Sequence, residues 1–304
     1  MSLLIVGTVA FDEVETPFGK TGKILGGAGT YIGLAASHLT DQISIVSVVG
    51  GDFPKKYLDL FREKNIDTTG LKVVEDGKTF FWAGKYHLDM NTRDTLVTDL
   101  NVLADFDPVV PQHARNSKYL MLGNLTPSIQ KRVIEQMETR PKLIVMDTMN
   151  FWMNIAWDDL MEVLTMVDVL TINDEEARQL SGEHSLMKAA KKILTMGPRY
   201  LIVKKGEHGA LLFYENQVFF APAMILENVF DPTGAGDTFA GGFLGYIARK
   251  DDTSFETLKN ALIYGSAMAS FTVEKFGTDR LLEITGEDIE ERLLEFVKMV
   301  AFKI

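Results

Sequence analysis

The sequence predicts an α/β fold: a doubly wound, mostly parallel sheet flanked by helices, with a small β-sheet beside it. Three observations predict this. Short runs of apolar residues alternate with helical patterns along most of the chain. Those runs hold few polar residues, as strands do when helices cover both faces of a sheet. Two further stretches, Phe11 to Leu25 and Leu71 to Leu100, are extended and stand outside the alternation.

In chain order, strands are expected at Leu3–Val9, Ile43–Val49, Tyr119–Leu122, Leu143–Met146, Val169–Ile172 and Leu201–Val203. Helices are expected at Gly29–Leu39, Pro54–Lys64, Pro127–Glu138, Asp158–Met166, Asp174–Leu180 and Ser185–Met196. Each strand-helix-strand step implies a right-handed crossover between parallel neighbours. After Pro222 the pattern becomes three helices, Ala235–Arg249, Phe255–Lys275 and Gly286–Phe302. The remaining extended stretches, including Thr79-Phe-Phe-Trp-Ala-Gly-Lys-Tyr-His87, are rich in β-formers and build the small sheet. With no linker or repeat, the chain reads as one domain over 1–304, with insertions at about 11–25 and 71–100.

Composition narrows the function. A formal net charge of −11, from 31 basic against 42 acidic residues, argues against nucleic acid or an anionic membrane as partner. Any phosphate-bearing ligand must therefore be held by local donors and a metal ion. The absence of cysteine removes disulfides, thiolate catalysis and cysteine-zinc sites. No apolar run approaches the roughly 18 residues a membrane helix needs, and the first strand starts too early to leave room for a signal peptide. A cytoplasmic protein is the expectation.

The most informative stretch is Asp231-Pro-Thr-Gly-Ala-Gly-Asp237, which runs into an alanine- and glycine-rich helix. Amides of Gly234, Ala235 and Gly236 would be free donors at a helix start, an anion site strengthened by the helix dipole. Asp237 lies in the first turn, where a carboxylate can cap the helix or serve as a base. Anion-binding amides beside a base suit transfer of a phosphoryl group to a hydroxyl.

The same stretch resembles the signature of the PfkB (ribokinase-like) carbohydrate kinases, with Pro232 as a variation at its second position. Gly26-Gly27-Ala28-Gly29 matches the first glycine motif of that family and Asn173-Asp-Glu-Glu176 its mid-chain motif. The resemblance implies an ATP-dependent kinase with Mg²⁺, acting on a hydroxyl of a sugar or, alternatively, of a nucleoside. It makes Asp237 the general base, and Gly234, Ala235 and Gly236 the anion hole. The small sheet becomes a substrate lid and, in many relatives, a dimer face. A non-catalytic sensor on the same scaffold would have no use for the base.

Carried over residue by residue, the resemblance puts Asp12, Gly26 and Gly27 against the acceptor, since one carboxylate can accept from two neighbouring hydroxyls. Tyr31 stands where many relatives hold a substrate-binding Asn, so an aromatic ring there would stack on the substrate or shorten the pocket. Asn173 and Glu176 share one helical face; Asn173 goes to the nucleotide and Glu176 to Mg²⁺ through water. Lys204, Gly206, Gly209, Thr233 and Asn260 fall in regions that flank the nucleotide, and Asp231 where relatives bind a monovalent cation such as K⁺. Two further acceptor-pocket candidates, Arg93 and Asn124, are polar residues read near the carboxyl edge of a parallel sheet, where ligands bind in such folds.

Overall fold

The computed structural model describes residues 2–301. The chain opens with β1 (Ser2–Val6), β2 (Ala10–Thr16), β3 (Gly19–Lys20) and β4 (Ile24–Gly26), then α1 (Ala28–Ser37), β5 (Gln42–Gly50), α2 (Lys55–Glu63) and β6 (Ile66–Val74). It continues through β7 (Phe81–Tyr86), β8 (Arg93–Asp99), β9 (Tyr119–Leu122), α3 (Pro127–Glu135), β10 (Leu143–Asp147), α4 (Asn150–Ile155) and α5 (Trp157–Leu164). Next come β11 (Val169–Asn173), α6 (Asp174–Ser181), α7 (Leu186–Leu194), β12 (Tyr200–Lys204), β13 (Ala210–Tyr214) and β14 (Gln217–Ala221). Four helices close the chain: α8 (Ala235–Lys250), α9 (Phe255–Thr272), α10 (Asp279–Glu283) and α11 (Gly286–Val300).

The main sheet has nine strands in the order β14-β13-β12-β11-β10-β9-β1-β5-β6. From β12 to β6 all neighbours are parallel, while β13 and β14 add an antiparallel hairpin. Alternate residues of each strand enter different cores, as the period of two requires. Leu3 and Ile5 pack with α1, α2, α8 and α9, whereas Leu4 and Val6 pack with the layer of α3 to α7. α8 lies unusually close to α1, because a Cβ at Gly241 would fall 2.4 Å from the Ile32 carbonyl oxygen and one at Gly245 3.0 Å from Ala36 Cα. That close packing brings the start of α8 beside the first glycine motif.

A second sheet of five strands joins β2, β3, β4, β7 and β8. All its pairs are antiparallel except β2 with β7. The expected insertion at 71–100 divides between the sheets. Its first residues, through Val74, belong to β6 on the edge of the main sheet, and only β7 and β8 join the small one. The sequence reading also missed the β13–β14 hairpin, α4 and α10. Helix α9 ends at Thr272, short of the expected Lys275, and Phe302 lies outside the described residues. No helix among the described residues is long and apolar enough to cross a membrane.

Candidate active site

Functional candidates gather at the carboxyl ends of the parallel strands and the N-terminus of α8. Gly234 precedes that helix with φ 75°, a left-handed conformation that favours glycine. The amides of Gly234 and Gly236 have no hydrogen-bond partner among the described residues, whereas that of Ala235 donates to the Pro232 carbonyl at 3.2 Å. Two of the three expected donors are thus free, and the third shapes the turn. Asp237, half-buried in the first turn of α8, makes no helix cap. Its pKa is raised from an ordinary 3.8 to about 7, first by burial and then by the charge of Asp147, against the pull of Lys204 and Arg93.

Asp231 is fully buried and shapes the loop, accepting from the amides of Thr233 and Gly277, each at 2.9 Å. Thr233 turns its hydroxyl to the phenol oxygen of Tyr86 on β7, 3.3 Å away, and so ties this loop to the small sheet.

Asp12 is no exposed loop charge. It sits on β2, buried against the first glycine motif, and its Oδ2 accepts from the Gly27 amide at 3.4 Å. A Cβ at Gly26 would lie 2.0 Å from that oxygen, so the pair leaves no room for a side chain there. Burial raises Asp12 to about 7, with the charges of Asp231 and Asp237 adding to the shift. Tyr31 is buried, 1% exposed, and a Cβ at Gly234 would sit 2.5 Å from three of its ring atoms. Its ring packs directly against the Gly234 turn. Its hydroxyl has no partner among the described residues, and burial with the charges of Asp12 and Asp231 holds its pKa well above the ordinary value.

A second cluster is organised around Lys204 at the end of β12. Its ammonium pairs with Asp147 at 2.9 Å and comes within 3.3 Å of where a Cβ on Gly236 would be. Burial lowers the Lys204 pKa, but Asp147 and Glu176 more than reverse that, so it stays charged. Asn173 and Glu176 form a reciprocal capping box on α6, with hydrogen bonds of 2.8 and 2.7 Å. Glu176 is nonetheless pushed up to about 7, by burial and then by Asp147. Asp147 was not singled out from sequence. The available signal was a carboxylate ending the apolar strand Leu143–Asp147.

Between Lys204 and α9 opens a cleft of about 320 Å³, lined by Gly206, Gly209, Gly236 and Phe239, by Met224 to Leu226, and by Ser266, Ala269, Ser270 and Val273 of α9. Asn260 is exposed on the same helix and does not line this cleft. The small-residue face of α9 does. Asn124 accepts from Trp152 Nε1 at 2.8 Å and donates to Met149 Sδ at 3.1 Å, and it does not line this cleft. Arg93 opens β8, hydrogen-bonds Tyr86 and acts electrostatically on Asp237 from the small sheet.

A parallel sheet, a helix start with two unpartnered amides, a carboxylate in its first turn and an adjacent cleft together fit a phosphotransferase acting on small molecules. The model of the pfkB family carbohydrate kinases matches residues 5–285. The chain belongs to that family and is an ATP-dependent kinase. It is 26% identical over 253 residues to a cytidine kinase of Thermococcus kodakarensis, covering 82% of this chain and 89% of the relative. It is also 26% identical over 317 residues to a nucleoside kinase of Methanothermobacter thermautotrophicus, covering 95% and 94%. Among solved structures, a Burkholderia thailandensis nucleoside kinase in complex with inosine superimposes with a TM-score of 0.82 at 20% identity, over 99% of both chains.

Proposed function

We propose that Asp237 takes the proton from a hydroxyl of the acceptor as the γ-phosphoryl group of ATP arrives. One arrangement carries this reading: a raised carboxylate and two unpartnered amides open the same helix, with the Lys204 ammonium alongside. The free amides and Lys204 offset charge on the transferring group. Asp12, with Gly26 and Gly27, holds the acceptor. Tyr31 supports the hole, and Arg93 closes the site from the small sheet. Gly206, Gly209 and the small-residue face of α9 enclose the nucleotide.

Mg²⁺ fits beside Asp147 and Glu176, two neighbouring carboxylates next to the phosphate end of the cleft, held through water in the manner this ion favours. When bound it would neutralise phosphate charge. Asn173 serves by fixing Glu176. K⁺ next to Asp231 belongs to the same proposal, since each oxygen there keeps a second lone pair.

A nucleoside is the acceptor we favour, because of Trp82. It is the register partner of Asp12 across the parallel β2–β7 pair, so both side chains share one face of the small sheet. The indole lies across Gly84, where a Cβ would be 2.2 Å from Trp82 Cη2. A ribose diol on Asp12 would leave its base about one strand spacing away, roughly 4.8 Å, on that ring. We further propose a homodimer through the small sheet and a cytoplasmic location, with neither nucleic acid nor membrane as partner. The test is a panel of nucleosides, pentoses and hexoses with ATP and MgCl₂, followed by ADP release. A nucleoside should give the highest kcat/KM. A free sugar outranking every nucleoside would sink the Trp82 assignment.

A further inference from the structure

The donor cleft has one wall that comes from the small sheet. Asp89, Met90 and Asn91, in the turn between β7 and β8, line it together with Lys204, Gly206 and Gly236. The approach is close: a Cβ on Gly206 would lie 2.9 Å from Asn91 Oδ1. The turn is well built. The Asp89 carboxylate accepts from the amides of Asn91 and Thr92, at 3.1 and 2.9 Å, and from the Thr92 hydroxyl at 2.6 Å. Met90 adopts φ 54°, a left-handed conformation uncommon for a long side chain. The strands leaving the turn carry Tyr86 and Arg93 as register partners. Tyr86 reaches Thr233, and the charge of Arg93 reaches Asp237.

We infer that this turn is part of the ATP site, so that nucleotide in the cleft packs on Met90 and Asn91 and holds β7 and β8 down over the acceptor. A ligand shifts a mobile element only through contacts that differ between its two positions. The turn supplies such contacts, and its two strands carry them to Tyr86 and Arg93. By linkage, an acceptor held under the same strands would tighten nucleotide binding by the same factor. The inference rests on the donor-site reading above and assigns that site an element of the lid.

Two measurements test it with ADP and Mg²⁺ as the probe: calorimetric affinity, and hydrogen exchange of the amides of β7 and β8. ADP should slow that exchange about tenfold in the natural protein. Asn91→Ala and Met90→Gly should each weaken ADP binding about 3- to 10-fold and abolish the slowing. Glycine suits the backbone at position 90, so loss of affinity there would not come from misfolding. Equal ADP affinity in both variants and the natural protein, or ADP binding without slower exchange, would overturn the inference. Failure of the natural protein to bind ADP would instead remove the donor-site reading, and this inference with it.

Discussion

Asp237 illustrates how a residue's neighbours decide its chemistry. An ordinary aspartate is too weak a base to take a proton from an alcohol efficiently. Burial brings this one to about 7, where its ionised form is both present and more basic. The sign follows from the role: the base works deprotonated, so kcat/KM should climb about tenfold per pH unit below 7 and level off above it. Asp237→Asn should lower turnover by roughly 10²- to 10⁴-fold and leave nucleotide binding intact. A pH profile with its limb near 4, or an Asn variant of near-normal turnover, would contradict the assignment. The sequence named this residue because its glycine turn is distinctive. It could not give the shift, which comes first from burial and then from the charge of Asp147, with Lys204 and Arg93 on two further elements opposing it. Tyr31 shows the reverse case. Its place in the motif was readable, but its burial under Gly234 was not.

At the scale of elements, the start of α8 depends on fitting two separate segments together. Gly234 meets two demands, a left-handed φ and contact with the Tyr31 ring. Gly234→Ala should therefore cost about 1–3 kcal/mol in backbone strain, and more where the new Cβ meets the ring. Thermal denaturation should show a drop of several degrees in Tm, with a larger loss in turnover as the free amides move. An alanine variant with unchanged Tm would show that the turn tolerates a side chain. Helices and parallel strands were legible because their apolar spacing is local. The division of 71–100 between two sheets was not, since β6 and β7 read alike until their partners are known. Asn260 failed for a related reason: α9 was recognised, but which of its faces meets the cleft depends on its rotation against α8.

For the molecule as a whole, the small sheet leaves β8 as an edge, exposed along its full length, with Leu96 and Val97 on it and Leu100 just past its end among the exposed apolar residues. Such an edge invites pairing with another chain. If the proposed dimer uses it, sedimentation velocity should show two subunits for the natural protein and one for Leu96→Glu, whose exposed position spares the core. A monomeric natural protein at micromolar concentration would refute the lid dimer. By itself the sequence determined the class of sheet and the kinase family, because apolar period and glycine turns act over a few neighbouring residues. Only the tertiary structure decided that Asp12 is buried, that Asp147 pairs with Lys204, and that the β7–β8 turn walls the cleft beside Lys204. Those facts join residues tens to more than a hundred positions apart, and burial and charge at such distances are set by packing rather than by sequence neighbours.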